Sequence, residues 1–221
     1  MPKNVWDELT NLGNLAHKIK PAEVRQIIEV LPTQFKKHLV ASGVEPKKAT
    51  ALSTKFRDAG RRSAPYAAFS KRVPGRPQDG ADGNRINRWL LPKDHKYYAD
   101  EMTATLVEIK YFLQTLSMKN APEVNNKNFQ NAFTWLTGHP VKPGEYLDPI
   151  TLLVVDFQDF LANPRGITSG HLFPLDRGGK HEPDNTFLMT RESNMLQGNN
   201  TLPELLEMIE GISKRHKEFG R

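Results

Sequence analysis

A chain of 221 residues that is 38% hydrophobic, 9% aromatic and 25% charged can bury one large core or two small ones, and it is too apolar to remain disordered. Having no cysteine excludes disulfides, thiolate nucleophiles and Cys-ligated zinc, so any metal must sit on oxygen or imidazole donors. A net charge of +6 favours a polyanionic partner, and nucleic acid is the commonest polyanion in a cell.

The chain begins with Met1-Pro2-Lys3-Asn4 and a polar amphipathic segment without the apolar core of a signal peptide. No apolar run approaches the roughly 20 residues needed to span a bilayer, so a cytoplasmic protein with no membrane partner is the expectation. Between residues 21 and 43, Val24, Ile27, Ile28, Leu31, Phe35 and Leu39 recur at helical spacing and predict an amphipathic helix. A second helix is predicted over about 45–62 and a third over about 99–118. In the third, Met102, Leu106, Ile109, Leu113 and Leu116 alternate steps of four and three. That seam suits packing on a neighbouring helix first, and a dimer contact second. Residues 61–89 form a loop rich in Gly, Pro, Ser and Asp that carries Arg61, Arg62, Lys71, Arg72, Arg76, Arg85 and Arg88, with Tyr66, Phe69 and Trp89 interleaved. The arginines, Arg72 and Arg76 among them, can reach the phosphates of a nucleic acid, against the plainer reading of a solvated linker, and it is the motif downstream that favours contact with DNA.

After Asn126 short apolar runs alternate with turns, the pattern of strands. Residues 151–157 (TLLVVDF) predict a strand preceded by a turn at Asp148-Pro149, and 167–173 and 186–189 predict two more around a loop at 174–185. A helix should follow from Thr190. The last helix is announced by a capping box, Thr201 with Glu204, ahead of Leu202, Leu205, Leu206, Ile209 and Ile212 on one face.

Within that strand, loop, strand, helix frame the segment from Gly170 reads Gly-His-Leu-Phe-Pro-Leu-Asp-Arg-Gly-Gly-Lys-His-Glu-Pro-Asp-Asn, and His171 is followed fourteen positions later by Asn185 and nine after that by Asn194. The multi-part pattern, His-x-x-Pro, Gly-Gly, then Asp-Asn, resembles the HNH (ββα-metal) endonucleases over about 50 residues from Asp148 to Asn200. The spacings are similar to those of the HNH domain of CRISPR effector nucleases. The resemblance implies an α+β fold in which a mostly helical, basic DNA-binding region, residues 1–125, precedes a ββα-metal nuclease domain, residues 126–221.

It also implies roles. His171, a side chain whose ordinary pKa is about 6.5, would be the general base that takes a proton from the attacking water. Asn194 would hold a divalent metal, Mg²⁺ or Mn²⁺, and Asn185 would tie the loop together and hold the base in position. Many family members carry Asp just before the catalytic His; here that position is Gly170, as in the DRGH-type nucleases. Asp156 and His181 are the alternative second ligands, and Asp156 reads first as a turn carboxylate. Arg165, Arg177, Lys180 and Arg191 flank the site and are expected to contact DNA phosphates, Arg177 and Arg191 foremost. His17, His38, His95, His139 and His216 form no ligand spacing and read as surface residues.

The expected activity is therefore metal-dependent hydrolysis of double-stranded DNA. The large extra region suits a site-specific restriction-type or phage-type enzyme, and cutting both strands with one site per chain would call for a homodimer through the helix at 99–118. A different class of reading is a DNA-binding protein that keeps the fold without catalysis, and a third is an RNA or toxin-type nuclease.

Overall fold

The computed structural model describes residues 20–63, 86–137 and 140–220. Over these residues the fold is α+β, with seven α-helices, two short 3-10 turns and one two-stranded antiparallel sheet. The middle of the basic loop, with Arg72 and Arg76, lies outside the described residues.

The helical layer follows the apolar periodicity closely. Helix α1 (Pro21–Ala41) starts with Pro at its first position, and the Lys20 backbone N–H donates to the Glu23 carboxylate at 2.9 Å. It buries Val24, Leu31, Phe35 and Leu39, with Ile27 and Ile28 packed beside them. Helix α2 (Pro46–Arg61) buries Ala49, Leu52, Phe56 and Gly60. Helix α3 (Glu101–Leu116) is capped by Asp100, whose Oδ1 accepts from the Thr103 backbone N–H at 2.9 Å. The rings of Phe35, Phe56 and Phe112 meet edge to face at centroid distances of 4.8 to 5.8 Å, joining α1, α2 and α3.

Every residue of α3 from Ala104 to Leu116 is buried, because α1, α2 and the sheet enclose it. The apolar seam at 99–118 is thus internal packing, and the expected dimer contact there is corrected: this helix has no free face to offer. Its buried polar side chains have a different purpose. Gln114 Oε1 accepts from the Leu188 backbone N–H at 2.9 Å, and Lys110 Nζ donates to the carbonyls of Pro183 and Thr186. Tyr146 donates its hydroxyl to the Leu188 carbonyl. An edge strand buried in protein needs partners for its backbone groups, and these side chains supply them.

Two strand expectations are overturned. Helix α4 (Lys127–Thr137) occupies the start of the region read as strand-like, since Phe129, Phe133 and Leu136 fall on one buried helical face. Residues 151–157 form only isolated bridges, Leu147 with Val154 and Lys119 with Asp156, before α5 (Phe157–Ala162) begins. Asp148 Oδ1 accepts from the backbone N–H groups of Ile150 and Thr151, both at 3.0 Å, and Leu152 takes a φ of 56°. The side chain folds the run into a tight turn, leaving Leu152, Leu153 and Val154 exposed.

Strand β1 (Ile167–His171) pairs antiparallel with β2 (Thr186–Thr190) in the register Ile167 to Thr190 and His171 to Thr186. Alternation puts Ile167, Ser169 and His171 on one face of β1 with Thr186 and Leu188 of β2. Ile167 and Leu188 belong to the same apolar core as α1, α2 and α3, while Phe187 and Met189 pack with Leu147, Ile150 and Leu172. Helix α6 (Arg191–Gln197) begins at Thr190, whose Oγ1 accepts from the Ser193 backbone N–H at 3.1 Å. Helix α7 (Leu202–Glu218) carries the capping box the sequence announced, Thr201 N–H to Glu204 at 2.9 Å, but of its apolar face only Leu205 is buried.

Candidate functional site

The loop between β1 and β2 is closed by one side chain. Asn185 Oδ1 accepts from the Phe173 backbone N–H at 2.7 Å, and its Nδ2 donates to the carbonyls of Phe173 at 3.0 Å and Lys180 at 2.7 Å. Both ends of the amide are used, so the loop's entry and exit are fixed to each other. On the far side Gln197 of α6 donates to the carbonyls of His171 at 2.9 Å and Leu172 at 3.1 Å, which ties the helix to the end of β1.

Asp148 fixes the start of that helix. Besides the two turn amides, its carboxylate accepts from Thr190 N–H at 2.8 Å and Ser193 Oγ at 2.7 Å. Burial pushes its pKa up, but the four hydrogen bonds outweigh burial and hold the group below the usual carboxylate range. Sequence reasoning saw only a turn here. An Asp-Pro pair carries no sign of the serine it will bond 45 residues later.

The His171 ring turns to the core side of the hairpin. Its Nε2 lies 3.1 Å from Nδ1 of His181, and Nε2 of His181 lies 2.7 Å from the Gly60 carbonyl of α2. His181 is 1% exposed. Burial first, then the positive charges of Arg88 and Lys110, lower the His171 pKa to about 3. Burial and Arg88 likewise hold His181 well below its ordinary value. Both rings are neutral at pH 7. Lys110 is itself lowered to about 7 by burial, against the pull of Asp184. Arg88, expected on the DNA, is instead buried and donates to the carbonyls of Gly60 and Tyr97, each at 3.2 Å. A lysine on the apolar seam of a helix, as Lys110 is between Ile109 and Tyr111, was the available sign that α3 meets backbone carbonyls.

Asn194 is exposed on the second turn of α6 and lines a groove of about 1220 Å³ between α2, β1 and α6. The lining includes Lys55, Arg62, Arg88, Arg165 and Arg191 and one carboxylate, Asp58. Lys55 donates to the carbonyls of Pro164 and Ile167, and burial lowers its pKa to about 8. Arg165 and Arg191 are exposed. His171 is not part of this lining: the structure brings Asn194, Arg165 and Arg191 together and places the His171 ring against His181.

The remaining residues lie elsewhere. Arg177 forms a two-point ion pair with Glu204 of α7, its Nη2 at 2.9 Å from Oε1, so its guanidinium is already engaged. Lys180 lines a separate hollow with His95, Asp100 and Glu182. Asp156 caps α5, accepting from Gln158 N–H at 2.7 Å and from Asn120 at 2.6 Å.

The donors around Asn194 set limits on a metal. Among the described residues no three His, Cys, Asp or Glu side chains come together as an ion-holding group. A Cβ built on Gly170, where many HNH enzymes carry Asp, would lie 2.5 Å from the Met189 methyl and 2.6 Å from its sulfur. The thioether fills that space. The groove offers Asn194 and Asp58 as oxygen donors beside five cations, and among the described residues it holds no preformed cage for an ion.

No protein-family model matches the chain, and no curated protein matches it. A solved structure described as a type II restriction endonuclease is similar to this chain at 21% identity with a TM-score of 0.49, over 60% of this chain and 62% of that one. The likeness thus spans less than two thirds of that protein's length.

Proposed function

We propose that this chain is a metal-dependent endonuclease of the HNH kind acting on double-stranded DNA, and that the extra helical region makes it a site-specific, restriction-type or phage-type enzyme. The observation that carries the reading is the hairpin-helix unit itself. His171 ends β1, Asn185 closes the loop, and Asn194 lines a groove whose charged residues are five cations and one carboxylate. A polyanionic strand lying in that groove would meet Arg165 and Arg191 beside Asn194.

In this reading His171 takes the proton from the attacking water. It is neutral at pH 7 and so able to accept, but a base with a pKa near 3 is weak. Burial is the largest cause, and the phosphate of a bound strand would offset only the smaller part that comes from Arg88 and Lys110. Asn185 keeps the loop closed around it. A divalent ion at Asn194, Mg²⁺ or Mn²⁺, would stabilise charge on the phosphoryl oxygens and the departing 3′-oxygen.

Two observations favour a second reading, a DNA-binding protein that keeps the fold without catalysis: Met189 fills the space beside Gly170, and the His171 ring faces His181. Plasmid DNA incubated with the wild type, His171→Ala and Asn194→Ala in EDTA, Mg²⁺, Mn²⁺ and Ni²⁺ separates the two. Discrete metal-dependent fragments lost in both variants support the enzyme, and a smear removes the claim of site specificity. Intact DNA in every metal, with a retarded band, leaves the binding protein.

A further inference from the structure

Three groups in a row set the proton positions on the candidate base. The Gly60 carbonyl oxygen lies 2.7 Å from His181 Nε2, and His181 Nδ1 lies 3.1 Å from His171 Nε2. A carbonyl can only accept, so His181 carries its proton on Nε2. In a neutral imidazole the other nitrogen is then a bare lone pair, and a hydrogen bond to it requires a proton on His171 Nε2. The lone pair left on His171 is Nδ1.

We infer that His181 is a positioning residue that locks His171 in the Nε2–H tautomer and leaves Nδ1 as the atom that accepts a proton. What Nδ1 then does rests on the nuclease reading above, whereas the tautomer does not. The alternative arrangement needs a doubly protonated His181, an imidazolium 1% exposed, and burial together with the positive charges of Arg88 and Lys110 opposes it.

The lock is built on the backbone of α2. Gly60 can bring its carbonyl to His181 because α2 crosses α3 at close range: a Cβ at Gly60 would lie 2.6 Å from the Glu108 Cα. Arg88 Nε donates to the same carbonyl at 3.2 Å and holds it in place. The helical layer therefore sets the chemistry of a side chain on the hairpin, across 111 positions of sequence between Gly60 and His171.

The test is long-range ¹H–¹⁵N correlation on the full chain labelled with ¹⁵N-histidine, which reads each ring's tautomer directly. The expected result for the wild type is His171 protonated on Nε2 with Nδ1 bare. In His181→Phe the preference is lost and both tautomers appear. In His181→Asn the amide oxygen replaces the Nδ1 acceptor and the Nε2–H form returns. In parallel, cleavage kcat should fall on the order of 10- to 100-fold in His181→Phe and recover in part in His181→Asn, with KM for DNA little changed. A wild-type spectrum with His171 protonated on Nδ1, or an unaltered tautomer in a folded His181→Phe, overturns the inference. If the wild type cuts no DNA while the spectra show the Nε2–H form, the nuclease reading fails and the positioning role stands.

Discussion

Asn185 makes three hydrogen bonds with one amide, two as donor and one as acceptor, and so joins Phe173 at the entry of its loop to Lys180 further along it. Asn185→Ala leaves the Phe173 N–H and two carbonyls to water and should lower stability by about 0.5–1.5 kcal/mol. The measurement is a urea transition, in which the midpoint falls while the m-value holds. Asn185→Asp keeps the acceptor but faces two carbonyls with a charge, so it should not rescue the loss.

The same scale sets a pH dependence. His171 has a folded pKa of about 3 against about 6.5 unfolded, and His181 is shifted in the same direction. The unfolded chain binds more protons below pH 6.5, so the stability these rings allow is full above that pH and is lost as the pH falls toward 3. The slope is at most about 1.4 kcal/mol per pH unit for each ring. Glu108 opposes them. Burial, only partly countered by Arg61, raises its pKa to about 7, so the folded chain binds the extra proton between pH 4.5 and 7 and gains stability as the pH falls through that window. Two rings outweigh one carboxyl, and stability should decline from pH 7 to 4.5. Glu108→Gln removes the opposing group and should steepen that decline, as read by thermal melts at each pH.

Among the elements, the helices with one apolar face were legible because periodicity reports burial, and α1, α2 and α3 fall close to their predicted spans. The hairpin was legible too, since its strands flank a loop marked by Pro and Gly. What could not be read was a turn made by a side chain. TLLVVDF has the composition of a strand, yet Asp148, three residues upstream, captures its first amide, at Thr151, and that of Ile150 before it, and turns the run outward. Nor could the sequence show that His171 and His181, ten positions apart, would meet at 3.1 Å against a helix carbonyl. That contact depends on the α2–α3 crossing, where Gly60 approaches Glu108. Gly60→Ala would press a methyl 2.6 Å from a backbone atom that has no rotamer to yield. It should cost about 1–3 kcal/mol and shift the His181 ring resonances along with the stability. A loss of stability without change at His181 would mean that the crossing and the histidine pair are independent.

For the whole molecule the unequal placement of cations matters more than their total. The chain carries +6 overall, but Arg165 and Arg191 stand exposed in the groove beside Asn194, whereas Arg177 is already paired with Glu204 and Arg88 is buried among carbonyls. Cations that meet phosphate release counterions, so the logarithm of the DNA affinity should fall linearly with that of salt, with a slope of about 0.9 for each phosphate neutralised. Arg165→Ala and Arg191→Ala should each reduce the slope by about 1 and weaken binding to any sequence alike. Arg177→Ala should leave the slope unchanged and instead lower stability slightly, because an exposed pair contributes little. Asn194→Ala removes no charge and should keep the slope while abolishing any gain in affinity from Mg²⁺. Fluorescence anisotropy of a labelled duplex between 50 and 200 mM salt, a range over which such contacts are readily resolved, measures all four. Equal slopes in the wild type, Arg165→Ala and Arg191→Ala would move the DNA away from this groove, and with it Asn194 from the reacting phosphate.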